Sequence, residues 1–263
     1  MTGDGARTTA DRTGWIPVAL SADLPVGGVM RAAMDGMDGM DGEDALDLAV
    51  WRARSGTVNA FHNRCPHRGM RLSFGFVRGE RLSCIYHGWQ YGEDGGCRHI
   101  PAHPDMTPPA SVGATIFACT DHDGVIWVST EPEPAPDIAE FGGEGLRSIA
   151  VDAGATALRN MLEGCAFPVS SSDDTRALKA EIIAQNRTSL VLEAGTGSVR
   201  RRLIIHFQPV GPNKTMLHLQ TSPEASADLK IALSRWAERL RWSAENLAGV
   251  TKTWDAGAGE MRP

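Results

Sequence analysis

The chain carries two short blocks of metal-binding donors, Cys65-Pro-His67 and, after sixteen intervening residues, Cys84-Ile-Tyr-His87. Two thiols and two imidazoles in separate short loops serve one centre only if the backbone brings both loops to the same place. Two centres suit this mixture of donors. A Cys2His2 zinc site would set all four around one ion in tetrahedral geometry. A [2Fe–2S] cluster would take both thiolates on one iron and both neutral imidazoles on the other, which raises its potential above that of an all-cysteine cluster.

The flanking residues complete the blocks as Cys65-Pro-His-Arg-Gly69 and Cys84-Ile-Tyr-His-Gly-Trp89. In both, the chain resembles the Rieske non-haem iron oxygenase family, whose large subunits carry a Cys-Pro-His-Arg-Gly loop and a Cys-x-Tyr-His-Gly-Trp loop. The resemblance implies a Rieske-type [2Fe–2S] cluster with Cys65, His67, Cys84 and His87 as its ligands, and it ranks zinc second. Respiratory Rieske proteins have a further cysteine in each loop, joined in a disulfide; Met70 and Tyr86 stand at those places here. Trp89 follows Gly88 where those proteins place a hydroxyl that raises the potential. A lower potential is implied, suited to a chain fed by a reductase or ferredoxin.

With 263 residues and 42% hydrophobic content the chain can bury one substantial core or two modest ones, and two domains are expected. The net charge of −6 offers no broad basic field, which argues against nucleic-acid binding, and Arg200-Arg-Arg202 reads as an alternating strand edge. No apolar run approaches the roughly 20 residues that span a bilayer, and no basic-then-apolar segment opens the sequence, so a cytoplasmic protein without membrane contact is expected. Cys97, Cys119 and Cys165 are expected to be reduced and mostly buried. No G-x-G-x-x-G turn is present to bind a dinucleotide, so electrons must come from another protein.

Residues 1–14 have no apolar period and read as a flexible tail. The Met-Asp-Gly repeat over Met34–Gly42 reads as a loop insertion without calcium-loop spacing. From 15 to 130, short β-branched and aromatic runs alternate with turns at Ser55-Gly56, Arg78-Gly79, Asp94-Gly95-Gly96 and Asp123-Gly124, which predicts a compact antiparallel β domain. Its expected core includes Val50, Trp51, Val58, Phe61, Ile116, Phe117, Ile126 and Trp127. Three prolines make 131–136 a stiff linker. In the remaining 137–263, strand-like runs at Thr188–Glu193, Leu203–Phe207 and Met216–Thr221 precede a helical pattern from Ala227 to Trp254. There Leu229, Leu233, Trp236, Leu240, Leu247 and Trp254 share one stripe.

A sheet with a long C-terminal helix is similar to the helix-grip (START-like) catalytic domain that follows the Rieske domain in these oxygenases. The expected fold class is therefore α+β, with the second domain shortened. The family binds a mononuclear ferrous iron there through two histidines and an aspartate, with the signature Asn-x-x-Asp-x-x-His-x-x-x-x-His. The best match starts at Asn160 and gives Glu163 for the acid, but Ala166 and Ser171 for the histidines, and the C-terminal helix offers only Glu245-Asn246 near the third ligand. A mononuclear Fe(II) is not expected at that place.

His206 and His218 are equidistant from Pro212 in a turn-rich stretch, so a hairpin there would bring them together and could, with Glu163, form a displaced metal site. The more ordinary reading is a pair of hydrogen-bonded strand histidines. His62, His99, His103 and His122 make no ligand spacing, although His99-Ile-Pro-Ala-His103 could line a docking face. An intact cluster motif beside a degenerate iron site implies an electron-transfer subunit. It would pass electrons from a reductase to the mononuclear iron of a catalytic oxygenase subunit, in a trimer-based hetero-oligomer. The alternatives are a complete oxygenase with an atypical iron site, and a non-catalytic structural or redox-sensing subunit.

Overall fold

The computed structural model describes residues 7–8, 14–34, 45–131, 140–170, 177–197 and 199–257. Most of the Met-Asp-Gly repeat, most of the proline-rich stretch, Ser171 and most of the N-terminal tail lie outside the described residues. The described residues divide into two compact units, one within Arg12–Glu140 and one within Phe141–Pro263 together with the strand at Arg7–Thr8.

The first unit is antiparallel throughout. Its larger sheet has six strands in the order Trp15–Leu20, Val125–Ser129, Ile116–His122, Val58–His62, Leu46–Arg52 and Val29–Met34. A second sheet of four short strands runs from Phe76 to His99. Side chains alternate across a strand, so on Leu46–Arg52 the residues Leu48 and Val50 enter one core while Ala49 and Trp51 enter another. Burial on both faces explains why that strand is a nearly unbroken apolar run. The second of these cores also holds Phe61, Leu72, Leu82, Tyr91, Cys65 and Cys84. It positions the site, because both candidate thiols grow out of packed hydrophobic ground.

Ile116 departs from the expected core: it is 49% exposed. It lies over the turn at Gly95, where an added Cβ would sit 2.7 Å from Ile116 Cγ2, so it covers a tight turn at the surface. Arg52 is the opposite surprise. Its guanidinium is buried, donating to the carbonyls of Leu24, Gly56 and Ser21 and pairing with Asp121 at 2.8 Å.

The second unit has a sheet in the order Arg7–Thr8, Glu181–Gln185, Ser189–Thr196, Val199–Gly211, Lys214–Thr221 and Glu144–Val151. The Arg7–Thr8 strand pairs in parallel with Ala184–Gln185, so the expected flexible tail holds sheet structure at that point. A short helix, α1 (Ala155–Leu162), buries Leu158 and Leu162 one turn apart. A long helix, α2 (Ala227–Gly257), places Leu229, Leu233, Trp236, Ala237 and Ala244 against Leu203, Ile205, Phe207, Leu217 and Leu219. Each such leucine contributes about 1.5–3 kcal/mol by leaving water. Among the described side chains of α2, Ala244 is the last one buried in this core, and Leu247, predicted on the same stripe, is 58% exposed. The side chain of Trp254 lies outside the described residues.

Candidate metal centre

The two donor loops have the same backbone. In the first, the amide of Cys65 donates to the carbonyl of Met70 and the amide of Gly69 donates back to the carbonyl of Cys65, both at 2.8 Å. In the second, Cys84 donates to Trp89 at 2.9 Å and Gly88 to Cys84 at 3.0 Å. Each loop turns back on itself at its glycine, and Gly69 and Gly88 have φ of +72° and +70°. Those values are strained for any residue with a Cβ. At Gly88 an added Cβ would also meet Pro101 at 2.9 Å.

These folds bring all four candidate side chains to one end of the unit, as two pairs. The thiols of Cys65 and Cys84 are buried and in direct contact, while the rings of His67 and His87 lie outside them with centroids 4.7 Å apart. Burial pushes the Cys84 thiol up, against the pull of the Tyr86 and His87 amides that point at its sulfur. Tyr91 approaches Cys65 Sγ at 3.1 Å through its hydroxyl. Trp89 stacks on His67, with ring centroids 4.2 Å apart and planes 6° from parallel, which fixes the plane of the imidazole. Desolvation, reinforced by the neighbouring His87 and Arg68 charges, holds His67 below the usual imidazole range.

Among the described residues no three His, Cys, Asp or Glu side chains converge on a point that would hold a single ion. Thiols in one pair and imidazoles in another match two irons with two donors each better than one tetrahedral zinc. Residues 14–120 match the Rieske [2Fe-2S] domain family. The first unit is a Rieske domain. A Rieske domain implies a [2Fe–2S] cluster, and its donor geometry here fits one.

Oxidoreductase NdmD of Pseudomonas putida is 31% identical over 229 aligned positions, with 78% of this chain and 37% of NdmD covered. Methylxanthine N1-demethylase NdmA of the same organism is 44% identical over 69 residues, 26% of this chain and 20% of NdmA. The chain therefore spans well under two thirds of the length of these relatives. The crystal structure of apo dicamba monooxygenase shares the fold, with a TM-score of 0.70 at 19% identity over 95% of this chain and 89% of that one.

Beyond the Rieske domain the structure disperses the other candidates. Glu163 is exposed, the residue that closes α1, neither a buried carboxylate nor a partner for the strand histidines. Ala166 opens a short strand. An open depression of about 570 Å³ beside it is lined by Met161, Cys165, Trp236, Arg239 and Leu240, and its described lining holds no imidazole and no carboxylate.

His206 and His218 do face each other across the hairpin, but as ligands for a displaced metal they are spoken for. His206 bonds Ser189 Oγ through Nδ1 and Gln220 Oε1 through Nε2, both at 2.8 Å. His218 bonds Ser148 Oγ and Gln208 Oε1, both at 2.9 Å. Both rings are buried on the sheet face opposite α2, and burial with the facing His206 pushes the pKa of His218 down to about 3. The ordinary reading of a hydrogen-bonded pair is the one the geometry supports.

Sequence reasoning passed over Tyr91 as a partner of Cys65 and Trp89 as the ring that holds His67. One signal was available: the chain has two tyrosines, and both, Tyr86 and Tyr91, lie in or just after the second donor loop. Cys97, Cys119 and Cys165 form no disulfide; Cys97 is buried and the other two are half-buried. Among the described residues no helix is long and apolar enough to cross a membrane.

Proposed function

We propose that this chain is the electron-transfer component of a multicomponent Rieske oxygenase system, with Cys65, His67, Cys84 and His87 holding its cluster. Bound there, the cluster takes up and releases one electron at a time. The observation that carries the reading is an intact donor set at an exposed tip of the first unit, in a chain whose second unit has Ala166 and Ser171 at the family's iron-ligand positions. Engagement of His206 and His218 by serine and glutamine side chains supports it by removing the alternative donors. So does the extent of likeness to a protein described as an oxidoreductase, which reaches across 78% of this chain, whereas the likeness to the demethylase covers 26%.

In this role the protein positions and insulates the cluster. The glycine-closed second loop aims the Tyr86 and His87 amides at the Cys84 sulfur, the Tyr91 hydroxyl bonds Cys65, and Trp89 stacks on His67 and fixes its plane. Electrons would arrive from a reductase or ferredoxin and leave for the mononuclear iron of a catalytic oxygenase subunit in a trimer-based assembly. Cys97, Cys119 and Cys165, which form no disulfide, suit a reducing, cytoplasmic setting.

Iron and acid-labile sulfide per chain, with electron paramagnetic resonance of the reduced protein, test the proposal. Two irons, two sulfides and a Rieske signal are expected, and Cys84→Ser should abolish turnover in a mixture with reductase and catalytic subunit. A third, sulfide-independent iron in the wild-type chain, or turnover unaffected by Cys84→Ser, would overturn it.

A further inference from the structure

The two donor loops are alike in their turns but not at their roots. The second loop stands on a hairpin: Ser83 and Gln90, which flank Cys84 and Trp89, face each other in the ladder between strands Arg81–Ser83 and Gln90–Gly92. The first loop leaves strand Val58–His62 and returns into a 3-10 turn at Leu72–Phe74, so its two ends belong to different kinds of structure. A loop closed on its own backbone can still swing about its root, and donors that must meet a second pair need that root held by surrounding hydrogen bonds.

One side chain joins the two ends. Asn63, two residues before Cys65, is buried, and its amide is used in both directions: Nδ2 donates to Asp47 Oδ1 at 3.1 Å, and Oδ1 accepts the backbone N–H of Ser73 at 2.8 Å. Its own backbone N–H donates to the Asp47 carbonyl at 2.8 Å, which carries the sheet pairing one residue past Leu48 and His62. Asp47 reaches the exit of the loop as well, because its second carboxylate oxygen lies 3.6 Å from Arg71, while Arg31 holds the first at 2.6 Å. Leu72, between Arg71 and Ser73, packs in the same core as Cys65 and Cys84. A primary amide presents a donor and an acceptor from one short side chain. Aspartate at 63 would set two carboxylates face to face, and an apolar residue there would leave the Ser73 N–H without its acceptor.

We infer that Asn63 is a positioning residue for the cluster, held in turn by Asp47. It fixes the entry and the exit of the first donor loop, so that Cys65 and His67 keep the arrangement that meets Cys84 and His87. It acts through the loop, as hydrogen-bonded supports of metal ligands do. The inference rests on the assignment of these four donors to the cluster in the electron-transfer reading, and it adds the residue pair that does for the first loop what the strand ladder does for the second.

The test is cluster retention in the anaerobically purified full chain, read as loss of cluster absorbance in excess chelator, together with the electron paramagnetic resonance g-values of the dithionite-reduced protein. Asn63→Ala should release iron at least about tenfold faster than wild type, the scale on which loss of such a support weakens a metal site, and should shift the g-values, because the imidazole of the first loop no longer has a fixed root. Asn63→Asp should do the same, and adding Asp47→Asn to it, which again sets one donor against one acceptor, should return release to within about threefold of wild type. Should Asn63→Ala fail to load, Asp47→Ala breaks the same bond from a partly exposed position and should speed release several-fold. Arg31→Gln, which removes only an exposed cation from Asp47, should change neither readout. Release and g-values unchanged in both alanine variants, or an Asn63→Asp defect that Asp47→Asn does not recover, overturn the positioning role and leave the electron-transfer reading standing. A wild-type chain that holds no cluster of two irons and two sulfides overturns both.

Discussion

Mild acid should destabilise the second unit through His218, and the size of the effect follows from its surroundings. The ring is buried and meets only neutral partners, Ser148 and Gln208, with His206 facing it on the next strand. Its pKa is accordingly pushed from the ordinary 6.5 to about 3. Below pH 6.5 the unfolded chain binds a proton that the folded chain refuses, so this contribution to stability is complete above 6.5 and declines until about 3. Each pH unit costs 1.36 kcal/mol, which makes the loss about 2 kcal/mol at pH 5.0 and about 5 kcal/mol by pH 3. Urea unfolding followed by circular dichroism at pH 7.5 and 5.0, on wild type and His218→Gln, isolates the contribution. Glutamine can bond the same serine and amide without titrating. Wild type should lose about 2 kcal/mol more than the variant across this interval, and parallel pH profiles would refute the argument.

Tyr91→Phe removes the hydroxyl bonded to Cys65 Sγ at 3.1 Å. That bond favours the more negative, reduced state of the cluster, so the midpoint potential should drop by about 60 mV, the equivalent of about 1.4 kcal/mol for one electron, as read by a redox titration. Gly88→Ala should lower iron and sulfide content sharply, because the new Cβ meets both a positive φ and Pro101 at 2.9 Å. Gly56→Ala, with φ of +98° and nothing within 4 Å, should load normally and lose only about 1–2 kcal/mol in a thermal melt.

The donor loops were legible because everything that shapes them is local. A cysteine, a histidine two or three positions on and a glycine four positions on close a turn through bonds to their own backbone, and no distant residue is needed. The buried strands of the first unit and the stripe on α2 through Leu240 were legible for a similar reason, since period in sequence becomes a face in space. Even the meeting of His206 and His218 could be read, from their symmetry about the Pro212 turn.

What could not be read depends on register between segments far apart in the chain. Whether those histidines were free to hold a metal was decided by Ser148 and Ser189, which reach them across neighbouring strands from 70 and 17 positions away. Arg52 is buried because the carbonyls of Leu24 and Gly56 and the carboxylate of Asp121 converge on it. Ile116, which covers the Gly95 turn at the surface, and Leu247, beyond the buried Ala244 on α2, are about half exposed or more, although their residue types and spacing favour burial. The sequence alone therefore determined the turns of the two candidate donor loops and the class of fold, through short-range chemistry and periodicity. The tertiary structure decided which polar groups are already satisfied, and a ring nitrogen that already has a hydrogen-bond partner is not open to a metal.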